Sequence, residues 1–296
     1  MFSDWNGKAA LAALTTPFTA QGRVDRLKYS AHAVQLLKRG LHGVVPFGTT
    51  GEGASLGFQE KAESLETLIA QGIPPRNIVM GIAASSADEA VQAAGHALGL
   101  GCRGILLAPP FYFKAPPEEG LYRWFSEVIS RLGARARGVV LYHIPQVTGV
   151  ALSVDLVNRL HAAFGPVVAA IKDSYGDIDT TRRYIQDTGL PTLVGHEGLL
   201  SGLIGEGAVG SISGLANLVP ERIVQVVNHS QSDALFEPMV RLVVSYPVVP
   251  AVKTLLAHQT REPAWLLCRS PLEALGRESS AQLLHSWEAL RKAHAA

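Results

Sequence analysis

The stretch VVAAIKDSYGD, residues 167–177, carries an apolar run straight into Lys172. Such a run reads as a strand covered on both faces, and lysine is rarely buried without a partner. Two uses of the amine are open. Its stem can cross apolar surface so that the ammonium reaches water and pairs with an acid. Alternatively, the amine is shielded. Desolvation disfavours the charged form, and a neutral amine is a nucleophile that condenses with a ketone or aldehyde to an imine. The protonated imine withdraws electrons, so that a neighbouring carbon–carbon bond can break or form.

Other residues of chemical interest follow short apolar runs. GTTGEG, residues 48–53, sets Thr49 and Thr50 between Gly48 and Gly51. Backbone N–H groups and hydroxyls in such a loop suit a small anion. The segment lacks the Gly-Lys-Ser/Thr ending of a phosphate loop, which makes a carboxylate the better fit. A tight turn with capping threonines explains the same residues. Tyr142 ends the run GVVLYHIP and reads either as a core residue needing one hydrogen-bond partner or as a site phenol. Tyr112, in PPFYF, reads as a loop plug or a site residue. Glu52 suits the start of the following helix, Asp173 suits a helix cap, and His196 with Glu197 suits a solvated loop pair.

Eight short apolar or β-branched segments would carry these residues: 11–18, 43–48, 77–83, 104–110, 138–145, 167–173, 192–195 and 208–214. Between them lie segments with apolar residues at three- and four-residue spacing. RLKYSAHAVQLLKRG stops at Gly40, a C-cap candidate, and Ser86 with Glu89 fits a capping box. Strand and helix alternating eight times predict an α/β fold, a (β/α)8 TIM barrel; a doubly wound open sheet is the alternative. In a barrel, sites lie where strands end, which gathers the residues above at one rim, together with Ser211, Ile212 and Ser213 of the eighth strand. After residue 218 the rhythm turns wholly helical, through SSAQLLHSWEALRKAHAA at 279–296. The expected domains are a catalytic barrel at 1–217 and a C-terminal helical extension at 218–296.

Composition narrows the function. The 296 residues are 47% hydrophobic and 17% charged, enough for a large core and for surfaces covered by partner subunits. Net charge is +1 with no basic run, against nucleic acid as a partner. Cys102 and Cys268 are far apart and lack metal-ligand spacing, which fits a reducing cytoplasm and argues against a zinc or disulfide scaffold. The first residues, MFSDWNGKAALAALTTPF, lack the basic start and cleavage site of a signal peptide. No apolar stretch reaches the roughly 18–20 residues of a membrane span, so cytoplasmic localisation is expected.

With these residues in view, the sequence resembles the dihydrodipicolinate synthase / N-acetylneuraminate lyase family over nearly its whole length. GTTGEG followed by SLGFQEK, PPFYF with EEGLYRWF, YHIPQVTG, IKDSYGD and GAVGSISGLANLVPE match five family segments in order. The resemblance implies a barrel with a C-terminal helical extension, assembled as a homotetramer that is a dimer of dimers. It implies pyruvate-dependent aldol chemistry with no metal or organic cofactor, on a 2-oxo acid and an aldehyde. Lys172 would form the imine, and Thr49 and Thr50 would hold the carboxylate. Tyr142 would shuttle protons, linked through Thr49 to Tyr112 of a neighbouring subunit. The Ile212 carbonyl would face the substrate.

The sequence also departs from the family. The synthase branch has an arginine two residues after the proline of its tyrosine segment, where this chain has Val147. An apolar side chain makes no bidentate carboxylate contact. The sialic-acid branch has an acidic pair after strand seven, where this chain has Glu197 and then Gly198; His143 replaces the usual asparagine beside the tyrosine. The expected activity is therefore a Schiff-base lyase or aldolase on a 2-keto-3-deoxy sugar acid or similar small 2-oxo acid. The alternatives are a dehydratase that uses the same imine, the synthase that condenses pyruvate with aspartate semialdehyde, and a non-catalytic 2-oxo-acid sensor.

Overall fold

A computed structural model of the chain describes residues 1–293. Eight strands pair in parallel among these residues: β1 (Ala9–Ala13), β2 (Gly43–Val45), β3 (Val79–Ile82), β4 (Gly104–Leu107), β5 (Val139–His143), β6 (Val168–Asp173), β7 (Thr192–Val194) and β8 (Gly210–Ser213). Their order is β2-β1-β8-β7-β6-β5-β4-β3. A parallel bridge from Val44 to Ile78 brings β2 beside β3, so the sheet is a nearly closed barrel rather than an open one.

The helices are α1 (Arg26–Lys38), α2 (Phe58–Ala70), α3 (Ala87–Gly99), α4 (Glu118–Leu132), the short α5 (Pro145–Thr148), α6 (Val154–Phe164), α7 (Ile178–Asp187), α8 (Leu200–Gly205), α9 (Pro220–His229), α10 (Phe236–Val244), α11 (Val248–Thr260) and α12 (Arg277–Ala293). Side chains accept an N–H of the first turn at four of them: Asp25 from Lys28, Ser86 from Glu89, Ser153 from Leu156 and Asp177 from Thr180. Each such cap contributes about 1 kcal/mol. The boundary drawn at 217/218 precedes α9, which packs on β1 and β8 as the barrel's eighth helix. The predicted terminal helix corresponds to α12, and its residues 294–296 lie outside the described residues. No single described helix is long and apolar enough to cross a membrane.

The continuous apolar character of the strands has a direct cause. Alternate side chains enter two different cores. Leu11, Val140, Ala170 and Leu193 fill the barrel interior, which Phe2 also enters. Ala10, Leu141, Ile171 and Val194 face the helices. Both faces are dry, so neither is polar.

The first strand ends earlier than its sequence suggests, at Ala13 rather than Phe18. Asn217, just past β8, takes the Thr15 N–H on its Oδ1 (3.1 Å) and gives its Nδ2 hydrogens to Ala13 O (2.8 Å) and Gly214 O (2.9 Å). Thr16 Oγ1 donates to Gly51 O at 2.7 Å. The β-prone threonines thus bond to loops instead of continuing a ladder. His32 Nε2 on α1 lies 3.1 Å from the same Asn217 Oδ1. That oxygen can only accept, so Nε2 carries the hydrogen.

Burial, opposed by the bond to Asn217, pushes the His32 pKa down to about 4. An unfolded histidine titrates near ~6.5. The native state therefore binds fewer protons between these values, and the stability present above pH ~6.5 is lost as pH falls toward ~4. Between pH ~7 and ~4.5, wild-type protein should lose roughly 2 kcal/mol more unfolding free energy than His32→Gln, read by urea denaturation. Equal losses would show that His32 accepts its proton without cost in the native fold.

Candidate active site

The parallel register of β5 and β6 sets Tyr142 opposite Lys172. Both side chains point to the barrel axis, as Val140 and Ala170 do two residues earlier on each strand. Both are about 5% exposed. The Lys172 amine donates to the Tyr142 hydroxyl at 3.3 Å and lies 4.3 Å from the ring centroid. Thr49 Oγ1 lies 3.3 Å from the same hydroxyl. A phenol both accepts and donates, so Tyr142 can link the amine to the threonine. Among the described residues no carboxylate is within ion-pair distance of this amine. The structure therefore places Lys172 inside the barrel mouth, bonded to a phenol, and not on a solvent-facing stem paired with an acid.

Room for the lysine comes from Gly195, directly after β7. A Cβ there would stand 2.8 Å from Lys172 Cε and 1.9 Å from Ser174 Oγ. No larger residue fits without displacing one of them.

Thr49 and Thr50 belong to a turn closed on itself. Gly48 O accepts from Gly51 N and Gly53 N, both at 3.1 Å, and Thr49 O accepts from Glu52 N at 3.1 Å. The N–H groups of Gly51, Glu52 and Gly53 are thus taken by the loop, as in a tight turn, and are not offered to an anion. Those of Thr49 and Thr50 meet no protein acceptor among the described residues. Gly48 and Gly51 serve the turn itself. Gly53 is obligatory, since a Cβ there would fall 1.7 Å from Phe47 O. Thr49 is exposed, and Thr50 Oγ1 lies over Gly214, 3.5 Å from where a Cβ on that residue would sit. The turn leads into a short 3-10 segment, Gly53–Ser55, and α2 begins only at Phe58, so its N-terminus stands away from the threonines.

The remaining expected residues are spread around this centre. Ile212, on β8, is buried and pairs with Leu11. Val147 is exposed and helps line a cavity of about 620 Å³ that Thr49 and Tyr142 also wall. The cavity lining includes Phe47, Ile82 and Leu106 with Val248 and Pro271 of the C-terminal region, and no lysine or arginine; Lys172 is bonded to the lining residue Tyr142 but does not itself line it. Tyr112 is 74% exposed, edge-on to Phe113, and bonds to neither Thr49 nor Tyr142 of its own chain. Glu197 is not a solvated loop residue. It is buried, and its Oε1 accepts from Ser213 Oγ (2.6 Å) and Leu215 N (3.0 Å). His196 is half-buried, and its Nδ1 has no hydrogen-bond partner among the described residues.

Several structural roles were hidden in the sequence. Asp173 does not cap α7; Asp177 does. Asp173 instead accepts from His143 Nδ1 (2.9 Å), Tyr175 N (2.9 Å) and Thr181 Oγ1 (2.6 Å) on the helix side of the sheet. This couple joins β5 to β6 one residue beyond Tyr142 and Lys172, and so locks their register from behind. Glu52 does not serve the start of α2. It is buried in the left-handed region at φ 55° and forms an ion pair with Lys253 of α11, a partner no motif announced. Burial pushes the Cys102 thiol up to about 12, which leaves it protonated and inert. Among the described residues no cluster of three His, Cys, Asp or Glu is placed to hold a metal ion.

Residues 6–289 match the family described as the dihydrodipicolinate synthetase family. The chain is 32% identical over 290 residues to a DapA-like lyase of Chloroflexus aurantiacus, itself described as uncharacterized, covering 95% of this chain and 96% of that one. It is 31% identical over 222 residues to a 4-hydroxy-tetrahydrodipicolinate synthase of Methanopyrus kandleri, covering 74% of this chain and 72% of that one. Its fold superposes on the crystal structure of dihydrodipicolinate synthase from Agrobacterium tumefaciens with a TM-score of 0.93, at 42% identity over 95% of this chain and 98% of that one.

The space around Lys172 is testable without reference to any substrate. Gly195→Ala should cost about 1–3 kcal/mol in urea denaturation, the usual effect of overpacking. Its crystal structure should show the Lys172 amine moved away from the Tyr142 hydroxyl. A variant of wild-type stability with an unmoved lysine would show that the turn after β7 has room to spare.

Proposed function

The chain belongs to the dihydrodipicolinate synthetase family and is a lyase of that family, and from that premise we propose that Lys172 forms a Schiff base with pyruvate or a longer 2-oxo acid. The observation that carries this reading is a buried amine bonded at 3.3 Å to a buried phenol at the C-terminal ends of two barrel strands. Carboxylate capture by Thr49 and Thr50 fixes the ketone carbon against the amine and replaces a bimolecular encounter by a local one. Lys172 adds to the carbonyl and water leaves. The cationic imine then accepts electrons from the neighbouring bond. Tyr142 takes the proton of the substrate hydroxyl during cleavage and returns one during condensation. A phenol with its ordinary pKa near ~10 needs help in that role, and the hydroxyl of Thr49, 3.3 Å away, supplies a relay. Tyr112 of a neighbouring subunit extends the relay in a homotetramer, a role consistent with its exposure on the single chain. The covalent imine takes the place of a metal or organic cofactor.

The substrate proposed is a 2-keto-3-deoxy sugar acid or similar small 2-oxo acid, cleaved to pyruvate and an aldehyde in the cytoplasm. Val147 supports it, since no side chain at that position pairs with a second carboxylate, and the adjoining cavity is lined without lysine or arginine. A second reading, condensation of pyruvate with aspartate semialdehyde, is favoured by the synthase names of the relatives.

Borohydride with pyruvate should add one stable mass to the protein at Lys172, read by peptide mass spectrometry, and Lys172→Ala should abolish it. An unmodified wild-type protein would leave only the role of a 2-oxo-acid sensor. Tyr142→Phe should slow turnover about 10²–10⁴-fold while imine trapping persists; equal loss of both would assign the phenol to imine formation instead. In product analysis, pyruvate release from 2-keto-3-deoxy sugar acids should exceed condensation with aspartate semialdehyde. The reverse order would establish the second reading.

A further inference from the structure

The buried ion pair between Glu52 and Lys253 is used by none of the steps above. Both side chains are fully shielded from solvent. Glu52 follows Thr49 and Thr50 in the same closed turn, and its N–H bonds to Thr49 O. Its second carboxylate oxygen accepts from the Arg269 N–H at 2.8 Å. Lys253 stands on α11, donates to Leu267 O at 2.6 Å and lies 4.4 Å from the Phe18 ring centroid. The Arg269 guanidinium continues the network to both oxygens of Glu60 on α2 (2.6 and 3.0 Å). One carboxylate in the turn is thus held by two parts of the C-terminal extension, the α11 ammonium and the strand of chain at 267–269.

Stability does not explain this arrangement. A buried ion pair gains little over apolar residues of the same volume, because both charges are taken out of water. Burial pushes the Lys253 ammonium down, against the pull of Glu52. Glu52 also occupies backbone space that residues with a side chain avoid, with φ at 55°. A costly charge holds a strained residue three and two positions beyond the two threonines whose N–H groups meet no protein acceptor among the described residues.

We propose that Glu52 and Lys253 are positioning residues, and that through their ion pair the C-terminal extension sets the turn that presents Thr49 and Thr50 to the carboxylate of the 2-oxo acid. The proposal rests on the imine chemistry assigned to Lys172. It predicts a separation of two properties that a structural pair would lose and regain together. Lys253→Met and Glu52→Gln each leave a buried group without its partner and lower the melting temperature. The double variant Glu52→Gln/Lys253→Met removes both charges and regains part of the loss, to a melting temperature above either single variant. Pyruvate capture does not return with it, because the neutral pair no longer fixes the turn.

The experiment is borohydride trapping across a pyruvate series, with melting temperatures measured on the same full-length samples. In the double variant the half-saturating pyruvate concentration should rise about ten-fold or more over wild type, with full trapping at saturation and a melting temperature above that of either single variant. A double variant that traps at the wild-type concentration overturns the proposal. So does failure of all three variants to fold, which would make the pair a support for the chain as a whole. Absence of trapping in the wild type itself would strike the chemistry assigned to Lys172, and is read separately from the variants.

Discussion

An amine buried in an apolar barrel must bond to something, and here its partner is the phenol on the next strand. Leaving such a group without a partner would cost about 1–3 kcal/mol or more. The register of β5 against β6 removes that cost by setting Lys172 and Tyr142 side by side. A slip of one residue in either strand would turn its side chain out among the helices and part the pair. The rest of the molecule is arranged so that this register holds and the amine has space. His143 and Asp173 tie the strands on the opposite face. Gly195 leaves the volume the lysine fills.

A second constraint acts from the other side of the barrel. The turn after β2 must bring Thr49 to the same phenol while leaving the N–H groups of Thr49 and Thr50 without a protein acceptor among the described residues. It bonds the N–H groups of Gly51, Glu52 and Gly53 internally, and its one carboxylate is held from the C-terminal extension. The barrel supplies strand ends that converge, and the extension supplies the charge that orders one of the loops between them. The division into barrel and extension is a division of chain, while the site draws on both.

Much of the barrel was legible because its strands are dry on both faces, and unbroken apolar runs separated by amphipathic helices have few other solutions. Lys172 stood out because an amine at the end of such a run is anomalous, whereas Tyr142, Thr49 and Thr50 also had ordinary readings as core and turn residues and were singled out by the family resemblance. The errors came where a polar side chain has two plausible local uses. Thr15 and Thr16 look like strand residues until Asn217, some two hundred positions away, takes the N–H of the first. Asp173 looks like a cap, but a better-placed aspartate four residues on does that work. Glu197 looks solvated, but β8 brings Ser213 to it.

The amino-acid order alone determined the alternation of strand and helix, the residues at the strand ends and the family to which they point. The alternation follows from local propensity and periodicity, which act over a few positions, and the family from the resemblance of five segments in order. Only the folded chain decided that the Lys172 amine meets Tyr142, that Glu52 pairs with Lys253, and that Tyr112 stands away from its own site. Each of these depends on distances across the barrel or between chain segments far apart in sequence. Such distances are set by the closure of the sheet and the packing of helices around it, and no run of neighbouring residues encodes them.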